Sequence, residues 1–277
     1  MRKINYPLIV SDFDGTLVRK DGTISEENKR AIAAYMQAGG AFAISTGRMP
    51  SGIMSRVQEL GLTGMVSCCQ GSIIMNIESN QPIMQGTLSF HSTLAACKKM
   101  ETMGLHIHVY DLWDFYCNKD DDALKFYERA VRGKGKLVLD KPISQFVEEN
   151  CLCAYKLLAM VPAQENEKVL QTLAAEHFDG CDITKSDEFL VEVISSRYSK
   201  GTAVEFLAQY YGVPLEKTIA VGDQRNDLPM IEKAGLGIAV KNADESLKAA
   251  ADYVCDYTNE ENAIKNIIEK FGFYEAE

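Results

Sequence analysis

"YPLIVSDFDGTLV", Tyr6 to Val18, decides how the fold is read. An apolar run rich in branched side chains, Pro7 to Val10, leads into Asp12 and Asp14, two carboxylates separated by Phe13 and followed by Gly15 and Thr16. Ending a buried strand on two acids is unfavourable, through desolvation and mutual repulsion, unless a cation neutralises the pair or one carboxyl holds a proton. Such a strand end calls for a ligand.

The same theme returns along the chain. "AFAISTGRM" runs from Ala41 into Ser45, Thr46, Gly47 and Arg48. It follows "SEENKRAIAAYMQAGG", in which Ser25 can cap a helix that stops at Gly39-Gly40. "TIAVGDQRNDLPMIEKAG" places Gly222, Asp223, Asn226 and Asp227 just after a strand from Thr218 to Val221, with a short helix closing at Gly235 and a strand "GIAV" beyond it. Strands alternating with helices predict an α/β fold with a doubly wound parallel sheet, whose ligands collect beyond the carboxyl ends of the strands. Asp12, Asp14, Ser45, Thr46, Asp223 and Asp227 are therefore expected to converge, joined by Lys200 at the start of the helix "KGTAVEFLAQYY" behind the capping Ser199. Hard oxygen ligands in this number suit Mg2+, which commonly bridges protein carboxylate and substrate phosphate. Lys200, Thr46 and loop amides can then meet the phosphoryl oxygens.

In this order, "DFDGTL", "STGR", "SKG" and "GDQRNDLPM" resemble the four motifs of the haloacid dehalogenase superfamily, and their spacing resembles its Cof-type sugar-phosphatase branch. The resemblance spans essentially the whole chain. It implies a Rossmann-like core and a Mg2+-dependent phosphatase that hydrolyses small phosphomonoesters, such as sugar phosphates, through an aspartyl-phosphate. Carried over by position, Asp12 is the nucleophile, Asp14 the general acid and base, and Lys200 the group that steadies nucleophile and phosphate. Phe13, Thr46, Gly47 and Asn226 would line the phosphate site. Asp12, the Asp14 carbonyl and Asp223 would bind Mg2+, with Asp227 holding the metal shell. Gln70-Gly71 stands where the family often has Asn-Gly, which leaves the contact usually made there open. For Arg48 a substrate contact and a loop-bracing ion pair fit equally, so it stays outside the catalytic set. A phosphomutase would use the same aspartate pair and is the near alternative. A phospho-aspartate receiver is disfavoured by length, and dehalogenation by the second acid and the metal cluster.

About 150 residues separate Thr46 from Lys200, enough for a separate domain. Residues 1–83 and 193–277 are expected to form the core, and residues 84–192 an inserted α/β cap that follows the hairpin "SIIMNIESNQPIMQG". Within the insertion "GLHIHVYD", "DFYCN", "AYKLLAMV", "CDITKSD" and "FLVEVIS" read as strands, and "AQENEKVLQTLAAEHF" as a helix. Tyr110, Trp113, Tyr116, Lys119 and Tyr155 are available there to read a leaving group, though aromatic residues at strand spacing are mostly core. His106 and His108 share one face of a strand, half a metal site at most, and ordinary packing accounts for them.

Composition narrows the partners. A net charge of -10 over 277 residues disfavours nucleic acid and leaves a small phosphorylated metabolite as the expected ligand. No apolar run reaches membrane-spanning length, and "MRKINY" enters a strand directly, so a soluble cytoplasmic protein is expected. The eight cysteines lack metal-knuckle spacing and read as free thiols. Only the short "FYEAE" end reads as disordered, and the sequence carries no sign of oligomeric state.

Overall fold

The computed structural model describes residues 2–131 and 133–275. Its first long stretch supplies Leu8–Ser11 (β1), Glu26–Gln37 (α1), Ala41–Ser45 (β2), Pro50–Glu59 (α2), Met65–Cys68 (β3), Ile73–Asn76 (β4) and Gln81–Gln85 (β5). Next come Phe90–Thr102 (α3), His106–Tyr110 (β6), Phe115–Cys117 (β7), Asp122–Val131 (α4), Lys136–Leu137 (β8) and Ile143–Glu149 (α5). Lys156–Met160 (β9), Ala163–Ala174 (α6), Cys181–Asp187 (β10) and Leu190–Ser195 (β11) complete this part. The chain then returns through Lys200–Tyr211 (α7), Thr218–Gly222 (β12), Leu228–Lys233 (α8), Leu236–Ala239 (β13) and Tyr253–Val254 (β14).

Two compact units result. One takes the residues up to Gly47, Met54–Met84 and those from Tyr198 onward, and the other takes Arg48–Ile53 with Gln85–Arg197. The first is built on an eight-stranded sheet in the order β14-β13-β12-β1-β2-β3-β4-β5. Neighbours from β14 to β3 are parallel, and β4 returns antiparallel to β3. Every residue of β1 is buried, which explains a strand made of Leu, Ile and Val with no polar alternation before Ser11. Winding runs outward from β1 through β2 and β3, then restarts at β12 on its other side, so the boundary between β1 and β12 is the topological switch point. Asp12 leaves the sheet there.

Local signals set the flanking elements. The Ser25 hydroxyl accepts from the Asn28 amide at 3.1 Å, and α1 ends before Gly39, whose φ of 99° stops the helix. The "FYEAE" expectation needs correction. Phe273–Glu275 is a strand, paired antiparallel with Arg2–Ile4 while the Phe273 ring meets the Tyr35 ring edge-on, and residues 276–277 lie outside the described residues. Backbone pairing and one aromatic contact order a segment whose composition carries no such sign.

The second unit has a six-stranded sheet in the order β10-β11-β9-β6-β7-β8. Ile107, Val109, Leu157, Ala159, Val191 and Val193 form one apolar face, packed with Ala96, Met100, Ile143 and Val147 from helices. By the period of two, His106, His108 and Tyr110 lie on the opposite face. His106 Nδ1 is 3.0 Å from Asp121, a partner that sequence reasoning overlooked, and its Nε2 is 3.2 Å from His108 Nε2. Burial holds the imidazole of His108 well below the usual histidine range, with His106 and Lys156 adding to it. No helix among the described residues is long and apolar enough to cross a membrane.

Candidate active site

Three carboxylates meet at the switch point. Asp12, Asp223 and Asp227 are buried, and each offers an oxygen within 4.8 Å of the others. They form the single group of three or more His, Cys, Asp or Glu donors found among the described residues, and the two histidines of β6 recruit no third ligand. Asp12 follows β1 and donates its amide to the Val221 carbonyl of β12 at 2.8 Å, which pins the acid to the neighbouring strand. Lys200, the first residue of α7, is itself buried and pairs with the carboxylates of Asp12 and Asp227, the latter at 2.6 Å. Its helix begins with a reciprocal cap between Ser199 and Thr202, so local sequence fixes where the helix that carries Lys200 starts.

Each acid has a distinct set of partners. Asp227 accepts the Asp223 and Gln224 amides on its second oxygen, at 2.9 and 3.0 Å, which closes the loop after β12. Asp223 accepts the Thr16 hydroxyl at 2.6 Å and the Gln224 side-chain amide at 3.3 Å. Gly15, at φ +83°, lies so close that a Cβ there would run into the Asp223 carboxylate. The turn therefore needs glycine both for its backbone and for this approach. Asp14, one turn residue earlier, is exposed and stands outside the buried triad.

The charges are poorly matched. Burial, reinforced by Asp227 and Asp223, lifts the Asp12 carboxyl well above the usual range despite Lys200. Burial also raises Asp223 to about 6, with Thr16 opposing and Asp227 adding to the rise. Burial works against the Lys200 ammonium, but Asp12 and Asp227 outweigh it and hold that group above an ordinary lysine. Three carboxylates around one ammonium leave an excess of negative charge, and the donor set is oxygen throughout. Hard divalent cations match that chemistry.

The remaining candidates lie alongside. Ser11 pairs with Ile44, so Asp12 and the Ser45-Thr46-Gly47 segment leave the sheet at the same end. Gln70 donates its amide to the Thr46 carbonyl at 3.1 Å, and its side chain accepts from Asn226 at 3.4 Å. The Phe13 ring is wholly buried beneath the Arg56 guanidinium, 5.7 Å from its centroid, which leaves only the main chain of Phe13 for a phosphate contact. Arg48 falls in the other compact unit with the residues up to Ile53. Thr16 has no role assigned from sequence, and Gln70 figures there only as a departure from the family pattern with its contact left open. For Thr16, a hydroxyl within a buried turn beside paired acids is a readable signal, whereas nothing local announces the partners of Gln70.

The sequence profile of the haloacid dehalogenase-like hydrolases matches residues 9–268. The chain belongs to that family. A Haemophilus influenzae protein that carries a provisional phosphatase name is 30% identical to this hydrolase over 271 residues, covering 96% of this chain and 98% of its own. The Bacillus subtilis 5-amino-6-(5-phospho-D-ribitylamino)uracil phosphatase YitU is 25% identical over 268 residues, 95% of this chain and 97% of its own. Among solved structures, a haloacid dehalogenase-like hydrolase from Bacteroides thetaiotaomicron superposes with a TM-score of 0.84 at 27% identity, covering 96% of this chain and 99% of its own. This hydrolase is a phosphatase.

Proposed function

We propose that the protein is a Mg2+-dependent phosphatase of small metabolites, which hydrolyses phosphomonoesters through an aspartyl-phosphate on Asp12. The observation that carries this reading is the buried Asp12-Lys200-Asp227-Asp223 cluster at the switch point. Asp12, the Asp14 carbonyl and Asp223 would hold Mg2+, with Asp227 behind them. Bound there, the ion would offset negative charge on the transferred group.

The protein groups then divide the work. The Asp12 carboxylate attacks phosphorus as the ester P–O bond breaks, and Asp14 gives its proton to the leaving oxygen. In the second half Asp14 takes a proton from water, which attacks the acyl phosphate and releases orthophosphate with Asp12 restored. The exposure of Asp14 supports this role, because a group that exchanges protons with leaving group and water must be reachable. Lys200 orients Asp12, while Thr46, Gly47, Asn226 and the Phe13 main chain bind phosphoryl oxygens.

Residues 84–192 are proposed as a cap domain that reads the leaving group. Sugar phosphates and related phosphorylated polyols are the proposed substrates, in keeping with the ribityl phosphate in the name of the YitU relative. All eight cysteines are free, the usual state in a reducing compartment, and the proposed location is the cytoplasm. A panel of metabolite phosphates assayed for orthophosphate release, with and without chelator, tests the reading. Chelator-resistant turnover, or full turnover by Asp12→Asn, would refute it.

A further inference from the structure

Cys69, Gln70 and Gly71 follow β3 with φ values of 49°, 57° and 97°, three consecutive residues in the left-handed region. For glycine that backbone is free of cost, and asparagine adopts it readily, but a glutamine gains nothing locally from being there. Gln70 is nevertheless 8% exposed, so solvent does not compensate it. Strain of this kind persists where surrounding contacts over-determine it and clusters at functional sites.

The contacts are unusual in what they join. The Gln70 amide binds the Thr46 carbonyl, its Oε1 accepts from Asn226, and its Nε2 lies 2.7 Å from where a Cβ on Gly47 would stand. On the following residue, a Cβ at Gly71 would strike the Ser199 carbonyl, at the cap of the helix that presents Lys200. One buried turn thus touches the Thr46-Gly47 loop, the Asn226 loop and the start of α7. These are the segments that supply the phosphate ligands and the lysine.

We propose that Gln70 is a positioning residue for the phosphate site, whose carboxamide fixes Asn226 and closes over Gly47 at the expense of its own backbone conformation. This rests on the assignment of Thr46, Gly47 and Asn226 to phosphate binding. The length of the side chain is the point. Asparagine would suit the backbone better, yet is one methylene shorter and cannot make both contacts from the same turn. Activity and stability should consequently move in opposite directions at this position.

Gln70→Asn and Gln70→Gly, compared with the wild type and with Asn226→Ala, test the proposal. The readouts are Tm, kcat/KM on p-nitrophenyl phosphate, and competitive inhibition by orthophosphate. Both Gln70 variants are expected to keep or raise Tm while binding orthophosphate about tenfold more weakly, the order of one lost hydrogen bond. In the double variant Gln70→Gly/Asn226→Ala, the loss should be little more than that of Asn226→Ala alone, because one residue acts through the other. Unchanged orthophosphate inhibition, fully additive losses, or a fall in Tm that accounts for the lost activity would overturn the proposal. A wild type inert toward p-nitrophenyl phosphate and every other phosphomonoester would instead fail the phosphatase reading.

Discussion

Asp223 should make the metal-free protein less stable as the pH rises toward neutrality, and Asp223→Asn should remove that loss. The folded protein holds the Asp223 proton to about 6, against an ordinary 3.8. Between those values the native state binds more protons than the unfolded chain, so stability is greatest below 3.8 and falls as the pH climbs through 6. That span corresponds to about 3 kcal/mol. In Tm this is roughly 6–12 °C for a protein of this size. The assay is calorimetric Tm for wild type and Asp223→Asn, in chelator and in excess Mg2+, from pH ~4 to pH ~7. In chelator the variant should gain on the wild type by the full amount as the pH rises. In excess Mg2+ the gain should disappear, since the cation replaces the proton as the partner of the carboxylate. A wild type that gains on the variant with rising pH in chelator, or a difference that ignores pH, would refute the reasoning.

Three other outcomes are expected. Lys200→Met leaves the Asp12 and Asp227 carboxylates buried without their ammonium, and should cost about 3–5 kcal/mol in urea unfolding near neutral pH along with nearly all turnover. Retention of wild-type stability would show that the pairs contribute little. Gly15→Ala forces a Cβ onto the Asp223 carboxylate at positive φ, so it should lower stability by about 1–2 kcal/mol and raise the Mg2+ concentration needed for half-maximal activity. Unaltered metal dependence would disconnect this turn from the ion. Rapid acid quenching of wild type with phosphorus-labelled substrate should trap a hydroxylamine-sensitive label, absent from Asp12→Asn; label retained in that variant would move the nucleophile elsewhere.

Much of the architecture was legible because it is written in short-range patterns. Three apolar strands each running into small and polar residues define a parallel sheet, and sheet handedness carries their ends to one edge. Ser25, Gly39 and Ser199 act within three or four residues of themselves, so their roles at helix ends could be read directly. The convergence of Asp12, Asp223, Asp227 and Lys200 needed only the topology. What stayed hidden depends on long-range placement. The Thr16 hydroxyl meets a carboxylate 207 residues away, and Gln70 meets Asn226 across 156 residues. Arg48–Ile53 groups with the inserted unit although it sits at the start of a helix that otherwise belongs to the core. The pairing of His106 with Asp121 joins a strand to the residue just ahead of α4, a distance no periodicity reports.

The position of β1 between β2 and β12 has a consequence for synthesis. This strand acquires one neighbour within a few dozen residues of its synthesis, yet its other edge waits for Thr218–Gly222. At usual translation speeds that wait is on the order of ten to forty seconds. Throughout it the nascent chain carries an open edge of unpaired backbone groups on a strand built for full burial, the kind of surface that pairs with strangers. Chaperone demand during biogenesis should therefore peak before Thr218–Gly222 emerges, and fall sharply once the strand bearing Gly222 closes the gap.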